Sequence, residues 1–238
     1  GASVPESLII RLQEVGLSMS QGYGLTEGCG VTTWLPPHDA RRKVGSCGRP
    51  LMHTRVRFVD PENHDALVDV PTGAVGELII KGPEVMVGYW NAPEATAAAL
   101  VDGWLRTGDL ARCDDEGYVY IVDRAKDMLI SGGLNVYPAE IERTLAGLPG
   151  VTELAVIGVP DSRWGETPAV IAVVPDSGAA PTGDDVLGRC RGVLADFKLP
   201  RFLHINDTPL PRNMSGKILK RELKAQFADF PKTATPIR

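Results

Sequence analysis

The sequence predicts an α/β and α+β protein in two parts, a β-rich part followed by a small α+β domain. Three observations carry this. Residues 44–123 hold strand-like runs separated by turn residues, among them "TRVRFVD", "GELIIKG" and "GYVYIVD". After Asp123 the pattern changes to buried strands alternating with helical stretches, the βαβ style. A chain of 238 residues with 43% apolar content suffices for one large domain or two small ones. The boundary is placed between residues 123 and 124.

Each element has its own warrant. "SVPESLIIRLQEVG" opens as a helix, with Ser3 and Glu6 at capping-box spacing, Pro5 in the first turn and Gly16 as the stop. Leu8, Leu12 and Val15 form its expected apolar face. "LSMSQGYGLTEGCGVTTW" reads as a short strand running into a glycine-rich loop. In "TRVRFVD", Thr54, Val56 and Phe58 alternate with Arg55 and Arg57, as in a half-buried strand. "DDEG" ahead of "YVYIV" is a hairpin turn signal.

In the second part, "YPAEIERTLAGLPG" predicts a helix with Pro138 in its first turn and Gly147 near its end. "VTELAVIGVP" and "PAVIAVVP" read as buried strands, and "PDSGAAPTG" as a loop. Val186, Cys190, Val193 and Phe197 share the face of a further helix. "RFLHIND" is a strand. "SGKILKRELKAQF" is the last helix, capped by Ser215. "DFPKTATPIR" reads as a frayed tail.

Composition excludes several classes. A net charge of −5 argues against non-specific binding to nucleic acid or anionic membranes. Cys29, Cys47, Cys113 and Cys190 are far apart and form no C-x-x-C pair, which fits reduced thiols in the cytoplasm rather than a zinc or disulfide scaffold. His38, His53, His64 and His204 form no spaced metal motif. The first residues lack the basic and apolar regions of a signal peptide, and no apolar run approaches the ~20 residues of a membrane helix.

Several short stretches carry polar chemistry. In "QGYGLTEG", glycines at 22, 24 and 28 allow close backbone approach to a ligand. Tyr23 offers a ring for stacking, Thr26 a hydroxyl, and Glu27 a carboxylate suited to a hard cation such as Mg²⁺. A tight turn exposing Tyr and Glu is the alternative. In "GWLRTGDL", Asp109 follows a Thr-Gly turn at the end of a strand-like run, where it can bind ribose hydroxyls or close an Asx-turn. Arg124 and Lys126 flank the domain boundary, able to neutralise phosphate or to pair with surface acids. Gly132 and Gly133 in "SGG" leave backbone amides bare, for a ligand or a hairpin turn. Trp164 in "GVPDSRWGE" is a stacking platform or a cap on the second core. Lys217 in "PRNMSGKILKREL" is not a P-loop lysine, because Pro211 stands where the first glycine belongs and Ile218 where Ser or Thr belongs.

In this order and spacing, "GYGLTEG", "GELIIKGPEVMVGYW", "DGWLRTGDLA", "GYVYIVDRAKDMLISGGLNVYPAEIE", "VIGVPDSRWGE" and "SGKILKREL" resemble the adenylate-forming superfamily. It holds acyl- and aryl-CoA synthetases, adenylation domains of nonribosomal peptide synthetases, and firefly luciferase. The resemblance implies that a carboxylate attacks the α-phosphate of Mg·ATP, giving an acyl adenylate, and that a thiol then displaces AMP. By it, Tyr23 stacks on adenine beside Gly24, Thr26 binds phosphate and Glu27 holds Mg²⁺. Asp109 holds ribose, Arg124 contacts ribose or phosphate, Lys126 is the hinge, and Lys217 is the adenylation lysine. Gly132 and Gly133 face the thiol step. Trp164 lies near the CoA adenine, with Lys198 and Arg201 near its phosphates.

The superfamily also has a Ser/Thr/Gly-rich loop ending in Pro-Lys-Gly, which this sequence lacks. The resemblance therefore implies a fragment: the β-rich end of a large AMP-binding N-terminal domain (1–123), then a complete small α+β domain (124–238). The fragment is expected to be inactive alone and to expose apolar surface at its truncated edge, inviting self-association. The leading reading is part of an ATP-dependent carboxylate–CoA ligase, with a fatty acid as the first acid considered. The alternatives are an adenylation domain loading an amino or aryl acid onto a carrier protein, and a non-catalytic interaction module.

Overall fold

A computed structural model describes the chain except residues 1–3, 5, 18, 64–65, 176–177, 215, 228–234 and 238. The chain divides into two compact units, Ser3–Ala125 and Lys126–Arg238.

The first unit opens with α1 (Glu6–Glu14). The capping residues Ser3 and Pro5 lie outside the described residues, as does His64. Its inward stripe differs from the expected one. Ile9 is 1% exposed whereas Val15 is 73% exposed, and Leu8 is exposed too. Ile9, Leu12 and Gln13 form the i, i+3, i+4 set that turns inward, and the Gln13 amide donates to the Ala40 carbonyl at 3.1 Å.

The glycine-rich stretch is strand rather than loop. β1 (Gln21–Leu25) pairs antiparallel with β2 (Gly30–Leu35) across a 3-10 turn at Thr26–Gly28, and β2 pairs with β3 (Arg49–Pro50). The reason is close backbone approach: a Cβ on Gly24 would lie 1.6 Å from the Gly30 carbonyl oxygen.

A second sheet follows, of β4 (Arg55–Val59), β5 (Gly76–Lys81), β6 (Leu100–Val101), β7 (Trp104–Cys113) and β8 (Val119–Arg124), with α2 (Pro93–Ala99) between β5 and β6. β7 pairs with β5, β6 and β8, all antiparallel. "DDEG" makes the β7–β8 turn as expected, with the Gly117 amide on the Asp114 carbonyl. Leu78, Ile80, Leu105, Ala111 and Val119 build a core on which Val56, Phe58, Tyr23 and Leu25 pack. That packing brings the glycine-rich hairpin to the second sheet.

The second unit holds β9 (Leu129–Ser131), β10 (Leu134–Val136), α3 (Pro138–Leu145), β11 (Glu153–Asp161), β12 (Gly165–Val173), α4 (Gly183–Cys190), β13 (Phe202–Asn206), α5 (Lys220–Gln226) and β14 (Thr235–Pro236). Its sheet runs β10-β9-β12-β13-β14, with β11 also on β12. β12 and β13 are parallel and joined through α4, so the βαβ expectation holds there; the other pairs are antiparallel. The unbroken apolar runs of β11 and β12 are explained by cover on both faces. Val156 and Val170 join Ile141, Leu145 and Leu187 in one core, while their neighbours Ala155, Ile157 and Ile171 join Leu210 and Leu223 in another.

Three expectations change in this unit. α4 is closed by a capping box of Thr182 and Asp185 and ends at Cys190, leaving Val193 70% exposed and Phe197 in a separate 3-10 turn. α5 begins at Lys220, after a tight hairpin in which Arg212 bridges to Ile218; the expected cap, Ser215, lies outside the described residues. The described end of the tail is not frayed. Thr235 and Pro236 pair with Leu203 and Phe202, and the Ile237 amide donates to the Arg201 carbonyl at 2.9 Å.

Candidate functional site

In the first unit, three predicted residues meet. Asp109 lies inside β7, not after a turn at its end, and is 7% exposed. The β7–β8 register sets it opposite Arg124, whose Nε donates to Oδ1 at 3.1 Å. The Tyr23 hydroxyl on β1 donates to Oδ2 at 2.6 Å. Both carboxylate oxygens are thus held from different strands, which fixes the plane of the carboxylate. Burial, and then the Asp109 charge, push the Tyr23 hydroxyl far above its ordinary pKa, so it stays a donor. The irregular register of β7 is anchored at Gly108, whose amide donates to Glu77 Oε1 at 3.1 Å and whose carbonyl accepts from the Ala125 amide at 2.9 Å.

Thr26 and Glu27 sit in the 3-10 turn that closes the same hairpin, with the Thr26 side exposed. A second loop fastens Glu27: the Met86 amide donates to its carbonyl at 2.8 Å and the Tyr89 hydroxyl to its Oε1 at 2.9 Å. Tyr89 was not singled out in the sequence, although the "GYW" of its motif contains it. Burial, and then Glu27, raise the Tyr89 pKa, so this hydroxyl too remains a donor. No three His, Cys, Asp or Glu residues among those described gather around one point. A single oriented carboxylate beside an exposed hydroxyl suits Mg²⁺, which binds through one or two carboxylates plus substrate phosphates and water rather than in an all-protein cage.

The second unit begins at Lys126, which is exposed. Gly132 and Gly133 take φ of +60° and +81° and form the two-residue turn between β9 and β10. The Gly132 amide donates to the Trp164 carbonyl at 2.9 Å, and a Cβ there would meet the Trp164 ring at 2.6 Å. Trp164 is half-buried, and its ring lies 4.7 Å from the Arg163 guanidinium and 5.3 Å from that of Arg201. Its buried indole Nε1 has no hydrogen-bond partner among the described residues. Sequence reading missed Arg163; its place beside Trp164 was the available signal. Lys198 is committed elsewhere, with Nζ 2.7 and 2.9 Å from the two carboxylate oxygens of Glu140. Lys217 lies on the hairpin before α5, not in its first turn. Its amide donates to Asn213 Oδ1 and its carbonyl accepts from the Asn213 amide, both at 2.9 Å.

Comparison with known proteins places the chain in a family. The family description "AMP-binding enzyme" matches residues 1–90 and "AMP-binding enzyme C-terminal domain" matches 140–217. Feruloyl-CoA synthase of Amycolatopsis sp is 47% identical over 227 residues, covering 95% of this chain and 45% of that protein. A long-chain-fatty-acid–CoA ligase of Mycobacterium tuberculosis is 46% identical over 233 residues, covering 98% and 45%. Among solved structures, o-succinylbenzoate CoA synthetase of Bacillus subtilis in complex with its acyl-adenylate intermediate aligns with a TM-score of 0.86 at 36% identity, over 94% of this chain and 44% of that one. The same enzyme with ATP and a magnesium ion aligns with a TM-score of 0.84 at 36% identity, over 94% and 45%. The chain thus spans about 45% of the length of these relatives. With both family descriptions matched in order and the fold shared, the chain belongs to the AMP-binding, adenylate-forming enzymes.

Proposed function

We propose that this chain is the ribose-binding and lysine-bearing portion of an AMP-forming carboxylate–CoA ligase. The observation that carries the reading is the Asp109 carboxylate, held by Arg124 from the neighbouring strand β8 and by Tyr23 from the hairpin that also presents Thr26 and Glu27. In this reading Asp109 accepts from the ribose hydroxyls, the Tyr23 ring stacks on adenine, and Gly24 leaves room for the base. Thr26 contacts phosphate and Glu27 ligates Mg²⁺, which when bound neutralises phosphate charge.

As the substrate carboxylate attacks the α-phosphate, charge builds on the phosphoryl oxygens and pyrophosphate leaves. Lys217 meets that charge with its ammonium group. The CoA sulfur then attacks the acyl carbon and AMP leaves. For this step Lys217 withdraws by rotation about Lys126, and the Gly132–Gly133 turn takes its place. Trp164 receives the CoA adenine. Arg201 and Arg163, both against its ring, supply charge for the CoA phosphates; Lys198, paired with Glu140, is the weaker candidate. The acid is an apolar one, fatty or aryl, in keeping with the two relatives at 46% and 47% identity.

The test is acid-dependent ATP–pyrophosphate exchange, over fatty, aryl and amino acids. It is run on this chain and on the chain extended upstream to the length of its relatives. Exchange by the extended form with fatty or aryl acids is expected. Lys217→Ala should lower it by about 100-fold or more while sparing thioester formation from supplied acyl adenylate. Equal loss in both half-reactions, or no exchange by a folded extended form, would remove the proposal.

A further inference from the structure

We infer that Arg212 is a positioning residue for Lys217, acting through the Gly216 carbonyl and anchored by Glu153. This rests on the adenylation role proposed above for Lys217 and adds a device that holds it. The Arg212 guanidinium forks between two acceptors. Nη1 donates to the Gly216 carbonyl at 2.6 Å, one residue before Lys217, and Nη2 donates to Glu153 Oε2 at 3.0 Å. Glu153 opens β11, paired to β12 through nine residues, so the anchor is the most extensively paired part of the sheet. The same Glu153 oxygen accepts from the Leu210 amide at 3.2 Å and so fixes the entry to the hairpin as well. Below the fork, Ile218 packs against the core that holds Leu210 and Leu223.

The energetics separate this from a purely stabilising role. The Arg212–Glu153 pair is partly exposed, with 40% and 22% of the two side chains accessible. A pair this exposed to solvent contributes little to stability, so its loss leaves the fold standing. Catalysis is far more sensitive to position. A displacement near 1 Å of a reacting group costs about 100-fold in rate. Near its tip the hairpin bonds the Asn213 amide to the Lys217 carbonyl and the Gly216 amide to the Asn213 carbonyl, each at 2.9 Å. Both lie within the hairpin itself. Arg212 links the tip to the sheet through Glu153.

Two measurements test this. The first uses the 238-residue chain and needs no catalysis. In Arg212→Ala, hydrogen exchange at the Gly216 and Lys217 amides should quicken about tenfold or more, while β11 and β12 amides keep their protection. Unchanged exchange at the hairpin would overturn the inference. The second uses the chain extended upstream. Arg212→Ala should slow acid-dependent pyrophosphate exchange about 30- to 100-fold through kcat, with KM for ATP within about twofold, and should leave thioester formation from acyl adenylate nearly unchanged. Arg212→Lys should not recover the exchange, because one ammonium cannot span both acceptors in a fixed fork. Full recovery by lysine, or equal loss in both half-reactions, would overturn the inference. Lys217→Ala run alongside separates the failures. If it adenylates normally, the role of Lys217 falls; if it does not and Arg212→Ala does, only the clamp falls.

Discussion

Asp109 shows how far one residue's chemistry depends on its neighbours. Its carboxylate could have closed a local turn; instead Tyr23, 86 residues away in sequence, and Arg124 hold its two oxygens. A hydrogen bond to a charged group contributes about 1.5–3 kcal/mol, and tenfold in affinity is about 1.4 kcal/mol. Tyr23→Phe keeps the ring for stacking and removes the donor. It is expected to raise the KM for ATP in pyrophosphate exchange about tenfold, with kcat little changed. A KM equal to that of the parent would mean that Arg124 alone orients the carboxylate. The same logic applies less directly to Glu27, whose carboxylate is steadied by Tyr89 from a separate loop.

At the scale of elements, the surprises come where short-range rules compete. Glycine is a poor strand residue by propensity, so "QGYGL" reads as loop. The hairpin forms because Gly24 lets two backbones approach more closely than any side chain permits. Gly24→Ala is therefore expected to destabilise the first unit by about 3 kcal/mol or more, by overpacking against backbone that cannot yield. Thermal unfolding of the variant, compared with the parent chain, measures it; a loss under about 1 kcal/mol would mean that the hairpin shifts to absorb the methyl group. α4 and α5 teach a different lesson. Their apolar spacing continued past the real ends, at Cys190 and before Lys220, because an i, i+3, i+4 pattern also arises by chance in irregular chain. Capping decided the start of α4, where the Thr182–Asp185 box closes both ends of the first turn.

For the whole molecule, the division at Ala125 and Lys126 has an energetic counterpart. Both cores of the second unit are built from its own residues, one on each face of its sheet. At roughly 110 residues it has the usual size of an independent domain. We predict that residues 126–238 expressed alone unfold in one cooperative transition and give a dispersed amide spectrum. A non-cooperative melt would mean that its stability depends on residues of the first unit. The exposed Leu8, Ile10, Val15 and Leu17 of α1 and its exit form an apolar stretch in the first unit. No helix among the described residues is long and apolar enough to cross a membrane.

The sequence by itself determined the order of the strand-rich and mixed parts, the hairpin at "DDEG", the buried strands β11 and β12, and the identity of the polar residues from Tyr23 to Lys217. These follow from local causes: a side-chain period of two, the φ demands of turns, and motif residues at fixed spacing. Only the tertiary structure decided which of those residues meet. Tyr23, Asp109 and Arg124 converge because β1 packs on the sheet in which β7 and β8 are neighbours. Lys198 is claimed by Glu140, 58 residues away, and Arg212 reaches Glu153, 59 residues away. Strand register and long-range packing set such pairings, and neither leaves a periodic trace in the sequence.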